Sequence, residues 1–322
     1  MPHRRRISVS TLVIPLSLLL FVGCSRDLPN SPASLGPSFL TDRAALSAGG
    51  TKPFFPLELG NRWHATSESH VVTQPTGGAP EELIIQGDIS RELTGTETLF
   101  GRTYTVQTET LVETGEGVDP TPLTTYTRYR QDATGLYEAE ADPSTPPAAV
   151  LTTSAASWSG AASRASSRPL PASLRARLPV DQVGSYERAW ALLQERAAKV
   201  RQVAIAVGNR ADGPLSDEAT RLDYPLHPGA EWTILTAPVF TSAVEGVDNL
   251  DLAAGRFHAY RIRIDNEFLR EGDIVHLWMG RSGQLQFEYH LVVDALDENG
   301  NVIGTVTLDY HEAVNEVNLV KS

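Results

Sequence analysis

Apolar and polar residues alternate with a period of two along ten stretches of this 322-residue chain. In one of them, Tyr260, Ile262 and Ile264 share a face, and Arg261 and Arg263 lie on the opposite face. This period indicates strands with one covered face, as in an antiparallel sheet. The stretches are 63–72, 82–92, 102–113, 123–130, 136–140, 231–236, 257–265, 273–279, 284–294 and 302–310. Asn299-Gly300 separates the last two and is typical of a type I′ hairpin.

The chain also repeats itself. Residues 55–63 and 224–232 both read aromatic-Pro-Leu-x-x-Gly-x-x-Trp, and each ends at the start of an alternating stretch, at Trp63 and at Trp232. Two shorter pairs follow in the same order: Gly101-Arg102 with Gly255-Arg256, and Thr134-Gly135 with Ser282-Gly283. An internal repeat indicates two halves with a common strand plan. We therefore predict a mainly β fold, with one strongly curved antiparallel sheet, an open or half barrel, built from two echoing halves.

The two halves are separated by a stretch of different character. Residues 143–180 are rich in Ala, Ser, Thr, Pro and Arg, which indicates a low-complexity insertion. After it, apolar residues recur at helical spacing from Tyr186 to Val200. This spacing predicts one amphipathic helix over about 185–200, packed on the apolar face of the sheet. The folded domain is predicted to span residues 53–320.

The N-terminus has the pattern of an export signal. A cationic stretch, His3 to Arg6, precedes a mainly apolar stretch of twelve residues, Thr11 to Val22, and then Gly23 and Cys24. Such a segment is typical of a secretory signal and is too short to span a bilayer, which takes about 20 residues. We predict a signal peptide over 1–23 and a flexible tether over 24–52, which is rich in Ser, Pro, Gly and Ala. The segment resembles a bacterial lipoprotein signal, in which the cysteine becomes the acylated first residue of the mature chain, and this resemblance implies lipidation at Cys24. A plain N-terminal membrane anchor with an incidental cysteine is the alternative.

Composition excludes several classes of protein. The net charge is −12, and no basic block follows residue 6, so nucleic acid is not a predicted partner. Cys24 is the one cysteine, which rules out disulfides within the chain and cysteine-rich metal sites. The chain has no nucleophile elbow, Walker loop or zinc-protease helix, so no catalytic residues and no cofactor are predicted. His258, His276 and His290 lie on successive predicted strands. Alternation places His258 and His276 with apolar neighbours and His290 on the polar face, so we predict no metal site.

A resemblance to a known group of proteins follows from these motifs. It is carried by Cys24, by the two aromatic-Pro-Leu turns, by the turn at 253–257 and by the strand-turn-strand at 278–285. Together they resemble uncharacterised bacterial envelope lipoproteins, which in turn are similar to the open β-barrel of the lipoprotein carriers LolA and LolB. The resemblance implies a curved antiparallel sheet with a helix packed into its mouth and an apolar concavity that holds acyl chains.

The combined prediction is a non-enzymatic lipoprotein of the cell envelope, held at a membrane by acylated Cys24. In lipoproteins of this kind, serine at the second mature position lets the protein go to the outer membrane, so the resemblance implies that destination for a chain with Ser25. The predicted partners are that membrane and an apolar small molecule or lipid; protein partners are not identified. The predicted ligand-binding residues are Trp63, Trp232, Tyr260, Ile262, Trp278, Phe287 and Tyr289. Two alternatives stay open: a structural envelope scaffold without a ligand, and a membrane-tethered secreted hydrolase.

Overall fold

The computed structural model describes residues 54–116, 118, 120–139, 168–205, 218–236 and 239–320. The predicted signal peptide (1–23), the tether (24–52) with Cys24, and most of the predicted insertion (143–180) lie outside these residues. Within the described ranges, no helix has both the length and the apolar character needed to cross a membrane.

Twelve strands form one antiparallel sheet that is nearly closed into a barrel. They are β1 (Arg62–Pro75), β2 (Glu81–Leu99), β3 (Arg102–Thr114), β4 (Leu123–Gln131), β5 (Gly135–Ala139), β6 (Glu218–Asp223), β7 (Glu231–Thr236), β8 (Val239–Leu252), β9 (Gly255–Asn266), β10 (Ile274–Gly280), β11 (Gly283–Leu296) and β12 (Val302–Asn318). The order across the sheet is β6-β5-β4-β3-β2-β1-β12-β11-β10-β9-β8-β7. The predicted single curved antiparallel sheet is therefore confirmed.

The ten predicted strands are present, and the structure adds β6 and β8. The second half of β8 contains Gly246, Asp248 and Asn249, residue types that are depleted in strands. Its long antiparallel pairing with β9, which runs from Phe240 opposite Asn266 to Leu252 opposite Gly255, overrides that preference. In β6 the buried residues Ala219 and Leu222 are three positions apart, so the strand does not show a period of two.

The internal repeat marks equivalent strands of two six-stranded meanders, β1–β6 and β7–β12. Each meander runs through neighbouring strands in chain order. The first repeated motif leads into β1 and β7, the second into β3 and β9, and the third into β5 and β11. The predicted two-half construction of the sheet therefore corresponds to the observed strand plan.

An equivalent backbone hydrogen bond stabilises both repeated turns. Gly60 has a φ of 87° and Gly229 a φ of 85°, a conformation that glycine adopts without steric cost. The N–H of Gly60 donates to the carbonyl of Leu93 at 2.8 Å, and the N–H of Gly229 donates to the carbonyl of Val244 at 2.8 Å. A register shift follows each acceptor, on β2 after Leu93 and on β8 after Val244. The repeated motif thus includes a turn and a bulge on the next strand.

The two meanders meet at two junctions that differ in bonding. At the first, β1 and β12 pair along their length, from Arg62 opposite Asn318 to Pro75 opposite Gly304. At the second, β6 and β7 lie side by side, but no backbone hydrogen bond joins them in the described parts of the chain. The indole N–H of Trp232 donates to the carbonyl of Thr220 across this gap at 3.2 Å. We call the β6–β7 junction the seam.

Two helices lie in the described ranges, α1 (Ala172–Arg177) and α2 (Val183–Ile205). α2 is the predicted helix, and it packs against the inner face of β11 and β12. Leu174 of α1 is buried in the same core, so the described end of the predicted insertion is folded. The apolar face of α2 consists of Tyr186, Ala189, Trp190, Leu193, Ala197 and Val200.

Arginines attach this helical segment to the barrel. Arg196 of α2 is buried, forms an ion pair with buried Asp273, and donates to the carbonyls of Phe268 at 3.2 Å and Val292 at 2.7 Å. The other pairs are Arg168 with Glu113, Arg177 with Glu81, and Arg201 with Glu113. The helical segment supplies the cations and the sheet supplies the anions.

Replacing Arg196 by Met should destabilise the protein by about 3–5 kcal/mol, because the carboxylate of Asp273 would stay buried without its cation. Arg175→Met is the matched control on the same segment. Its ion pair with Glu187 is exposed and 3.5 Å long, so the cost should stay below about 1 kcal/mol. Urea unfolding of both variants measures the difference, and equal midpoints would contradict the expectation.

Candidate functional site

A cavity of about 40 Å³ remains inside the barrel next to the seam, and we call it the central cavity. It has room for about three water molecules. Arg91, Gln107, Arg221, Ser242 and Gln284 contribute polar groups to its wall. The sequence predicted an apolar concavity, whereas this one is small and of mixed polarity.

An aromatic wall closes one side of the central cavity. The ring of Phe55 lies 6.1 Å from that of Trp63 and 5.5 Å from that of Tyr129. The side chain of Gln131 accepts from the backbone N–H of Phe55 and donates to its carbonyl, both at 2.9 Å. The indole N–H of Trp63 donates to the carbonyl of Ser282. Trp63 is thus both a wall of the cavity and a link between the two meanders.

The seven predicted ligand-binding residues are all buried, but they do not converge on one cavity. Trp63 and Ile262 line the central cavity. Trp232 lies at the seam, and the hydroxyl of Tyr260 donates to the carbonyl of Leu226 at 3.0 Å. Both belong to the main core without lining the central cavity.

Phe287 and Tyr289 lie deeper, towards α2. Phe287 lines a second cavity of about 20 Å³, which shares Arg91 and Gln284 with the central cavity. The ring of Tyr289 stacks on that of Tyr310, with centroids 4.8 Å apart and planes at 10°. Phe287 and Tyr289 therefore lie on the α2 side of the barrel interior, which we call the floor.

Trp278 packs in a different place from the other six. It forms a separate cluster with Ala259 and Leu285, and its indole N–H donates to Asp248 at 2.8 Å. The preceding residue, Leu277, lines the central cavity, so Trp278 projects from the opposite face of β10. The next residue, Met279, lines the central cavity instead.

Arg91 is the centre of a buried ion cluster between the two cavities. Its guanidinium contacts Glu109 at 2.5 Å and Glu312 at 2.7 Å, and all three side chains are at most 8% exposed. Gln284 donates to Glu312 at 3.0 Å, and the hydroxyl of Tyr310 donates to it at 3.2 Å. Each carboxylate therefore has the hydrogen-bond partners that a buried charge requires.

The electrostatics of this cluster keep Arg91 and Glu312 ionised. Burial alone would raise the pKa of Glu312, but the Arg91 guanidinium and the hydrogen bonds to Glu312 lower it below its usual range. Burial would likewise lower the pKa of Arg91, but Glu109 and Glu312 raise it well above its ordinary value. The barrel interior therefore contains one guanidinium held between two carboxylates.

A second arginine interacts with aromatic rings at the floor. The guanidinium of Arg201 lies 4.5 Å from the ring centroid of Tyr310, and its Nε donates to the hydroxyl of Tyr289 at 3.0 Å. Burial raises the pKa of both tyrosines, so both stay neutral hydrogen-bonding groups. A cation over an aromatic face is stabilised by the negative potential of that face.

The sequence analysis missed the ion cluster, although its signal is in the alternation. Arg91 follows Ile85 and Ile89 at inward positions of β2, and Glu312 lies between inward Tyr310 and Val314 of β12. A charged residue at an inward position predicts a partner inside the barrel. Which residue that partner is depends on pairing between distant strands.

The three histidines considered as metal ligands stay apart. His276 contacts Glu245 at 3.2 Å and Glu288 at 3.1 Å, and His290 contacts Asp309 at 2.5 Å. His276 therefore lies among carboxylates, where the alternation had suggested apolar neighbours. Over the described ranges, no group of three or more histidine, cysteine, aspartate or glutamate side chains could hold a metal ion.

Comparison with known proteins gives remote structural likenesses, two of which are described here. No protein-family model and no curated protein matches the chain. A protein from Bacteroides fragilis, described as exported and of YmcC-like fold, has 10% identity and a TM-score of 0.33 over 83% of this chain and 99% of its own. A protein from Parabacteroides distasonis, described as a lipoprotein, has 10% identity and a TM-score of 0.28 over 83% and 98%. Neither is described as a LolA or LolB carrier, so that part of the resemblance stays a prediction.

Replacing Glu312 by Gln should cost about 1–3 kcal/mol at neutral pH, because a charge-assisted contact to Arg91 is lost. The folded-state pKa of Glu312 is lowered from 4.5, so its contribution is complete above that pH and disappears as the pH falls below it. The stability difference between wild type and E312Q should therefore shrink between about pH 6 and pH 3.

Urea unfolding at each pH measures this difference. The control is Glu316→Gln on the exposed end of the same strand, which should change stability by less than about 0.5 kcal/mol throughout. A difference between E312Q and wild type that stays constant over the whole pH range would contradict the assignment.

Proposed function

We propose that this chain is a non-enzymatic, lipid-anchored protein of the cell envelope whose barrel is a packed body, not a carrier of acyl chains. The observation that carries this proposal is the filled interior. α2, the aromatic residues and the Arg91 cluster occupy the space that an open concavity would leave, and the central cavity measures only about 40 Å³.

The anchoring part of the proposal rests on the N-terminal pattern. Cleavage before Cys24 would remove three arginines and no acidic residue, so the mature chain would be more acidic than the full chain. An acidic body is repelled by an anionic membrane surface. Acyl chains on Cys24 would have to supply the membrane affinity, at about 0.8 kcal/mol for each buried CH₂ group. Ser25 supports the outer membrane as the destination.

The non-enzymatic part is supported by the state of the buried carboxylates. Glu109 and Glu312 are paired with Arg91, Glu138 with Arg221, and Asp273 with Arg196. A hydrolase that uses two carboxylates needs one of them protonated near neutral pH, in a site that raises its pKa. Arginine partners favour the ionised form instead. This pairing argues against the tethered-hydrolase alternative.

The central cavity favours a second candidate function, the binding of a small molecule. Concave sites with apolar walls and a few placed polar groups are the usual form of small-molecule sites. The central cavity has both, but its volume restricts it to a molecule much smaller than an acyl chain. In this second function, the predicted apolar ligand is replaced by a small polar-tipped one.

Cys24→Ser should abolish acylation, because the hydroxyl cannot replace the thiol that accepts the lipid. Cells that express the variant should incorporate no labelled palmitate into the chain, and the chain should leave the membrane fraction. Ser25→Ala is the matched control and should retain label and membrane association. A wild-type chain recovered with residues 1–23 intact and without an acyl group would overturn the proposal.

The purified protein should show no saturable binding of a long-chain fluorescent fatty acid at micromolar concentration, because the filled interior leaves no room for the chain. A fatty-acid-binding protein measured alongside confirms that the probe is active. Stoichiometric binding of one fatty acid per chain would favour the carrier prediction over the packed barrel.

A further inference from the structure

We infer that the central cavity is a binding site for a small uncharged molecule that presents a carbonyl or hydroxyl oxygen to Arg221. This inference rests on the second candidate function and is independent of the anchoring at Cys24. Arg221 is on β6, at the seam, and its side chain is only 9% exposed. It is also part of the cavity wall.

The guanidinium of Arg221 has one donor in use and one free. Its Nε donates to Glu138, a partner from the neighbouring strand β5. Its Nη2 is buried and has no hydrogen-bond partner among the described residues. Buried N–H groups are nearly always satisfied, so an unpartnered one beside a cavity indicates a missing acceptor. Because Nη2 is enclosed and other atoms of Arg221 line the cavity, a small turn of the guanidinium towards the cavity would present Nη2 to an acceptor there.

Charge around the cavity selects a neutral acceptor over an anion. Arg221 is already neutralised by Glu138, and Arg91 contacts two carboxylates, Glu109 and Glu312. Both arginines that line the cavity therefore already have carboxylate partners. An anion placed beside Arg221 would compete with Glu138 for the same guanidinium and would be repelled by it, in a site that water screens poorly. A carbonyl or hydroxyl oxygen accepts the same hydrogen bond without a net charge.

The rest of the wall defines the body of the ligand. Trp63, Ile262 and Leu222 present apolar surface, and Ser242 adds a hydroxyl that can donate or accept. A cavity of about 40 Å³ limits the part of the ligand that enters to about four heavy atoms. A short ketone, amide or alcohol meets these requirements.

The seam gives the cavity a route to its exterior. Leu222 of β6 and Ile234 of β7 line the cavity from the two sides of the seam. Elsewhere in the sheet, the ladders between neighbouring strands close the wall, whereas β6 and β7 are joined across the seam by the Trp232 indole and by packing. Parting β6 from β7 breaks no backbone hydrogen bond between them in the described ranges.

Acetone and acetate provide a matched pair of probes, because both are planar with four heavy atoms and differ in charge. Xenon adds an apolar probe without an acceptor. The best Kd that four heavy atoms can reach is about 40 µM, so NMR titration at millimolar concentration is the suitable measurement. Acetone should shift the Arg221 Nε–H and the Ile262 and Leu222 methyl signals, and acetate should bind at least tenfold more weakly.

Two variants connect the binding to the proposed atoms. Arg221→Lys keeps a cation for Glu138 but removes the planar second donor, so acetone should bind at least fivefold more weakly. Arg130→Lys, on β4 and paired with Glu218, is the matched control and should bind as wild type does. Ser242→Val fills the cavity and should abolish binding even if the Arg221 variant fails to fold.

Other outcomes overturn the inference in distinguishable ways. Acetate binding as well as acetone would make this an anion site. Acetone binding that is unaffected by Arg221→Lys would reduce the site to an apolar void, as would xenon binding alone. No binding of any probe would mean that water fills the cavity. Each of these results would leave the lipidation of Cys24 unaffected, because that is measured in a separate experiment.

Discussion

The pairing of β1 with β12 joins the first strand of one meander to the last strand of the other, across about 250 residues of sequence. It places Trp63 opposite Val317 on one side and opposite Arg91 of β2 on the other. It also places Ser67 opposite Glu312. Because side chains alternate with a period of two, a slip of one residue here would turn the inward side chains of one meander outward. The core and both cavities depend on this register.

The buried arginines make that register specific. A buried ion pair contributes little net stability over a well-packed apolar pair, but an unpaired buried charge is strongly unfavourable. Arg91 has its two carboxylate partners on β3 and β12, strands that belong to different meanders. Any other alignment of the meanders would leave at least one of these charges buried alone. The cluster therefore favours one arrangement of the barrel over its alternatives, in addition to its packing role.

The local pattern of the sequence carried most of the fold, because strands and turns are set by neighbouring residues. Alternation predicted the strands on either side of Asn299-Gly300, and the repeat containing Trp63 and Trp232 predicted the equivalent strands of the two halves. What local pattern could not give was which face of β10 is turned inward. Leu277 and Met279 line the central cavity, so Trp278 between them projects from the other face of the strand and lies outside the predicted site. The pairing of Arg91 with Glu312, 221 positions apart, depends on long-range topology that alternation alone does not specify.

The two halves share a strand plan, yet they end differently, and the interior site follows from this difference. In the second half, a tight hairpin at Asp297–Asn301 connects β11 to β12, so β12 continues the ladder and is long enough to pair on both edges. In the first half, a long connection that includes α1 and α2 separates β5 from β6. The strand that returns from it, β6, has six residues and pairs with β5 only.

The other edge of β6 forms the seam. The side chain of Arg221 on this strand lines the cavity and has one donor without a hydrogen-bond partner in the described ranges. The long connection between β5 and β6 thus supplies α2, which fills one part of the barrel, and β6 is too short to seal the part where the central cavity lies.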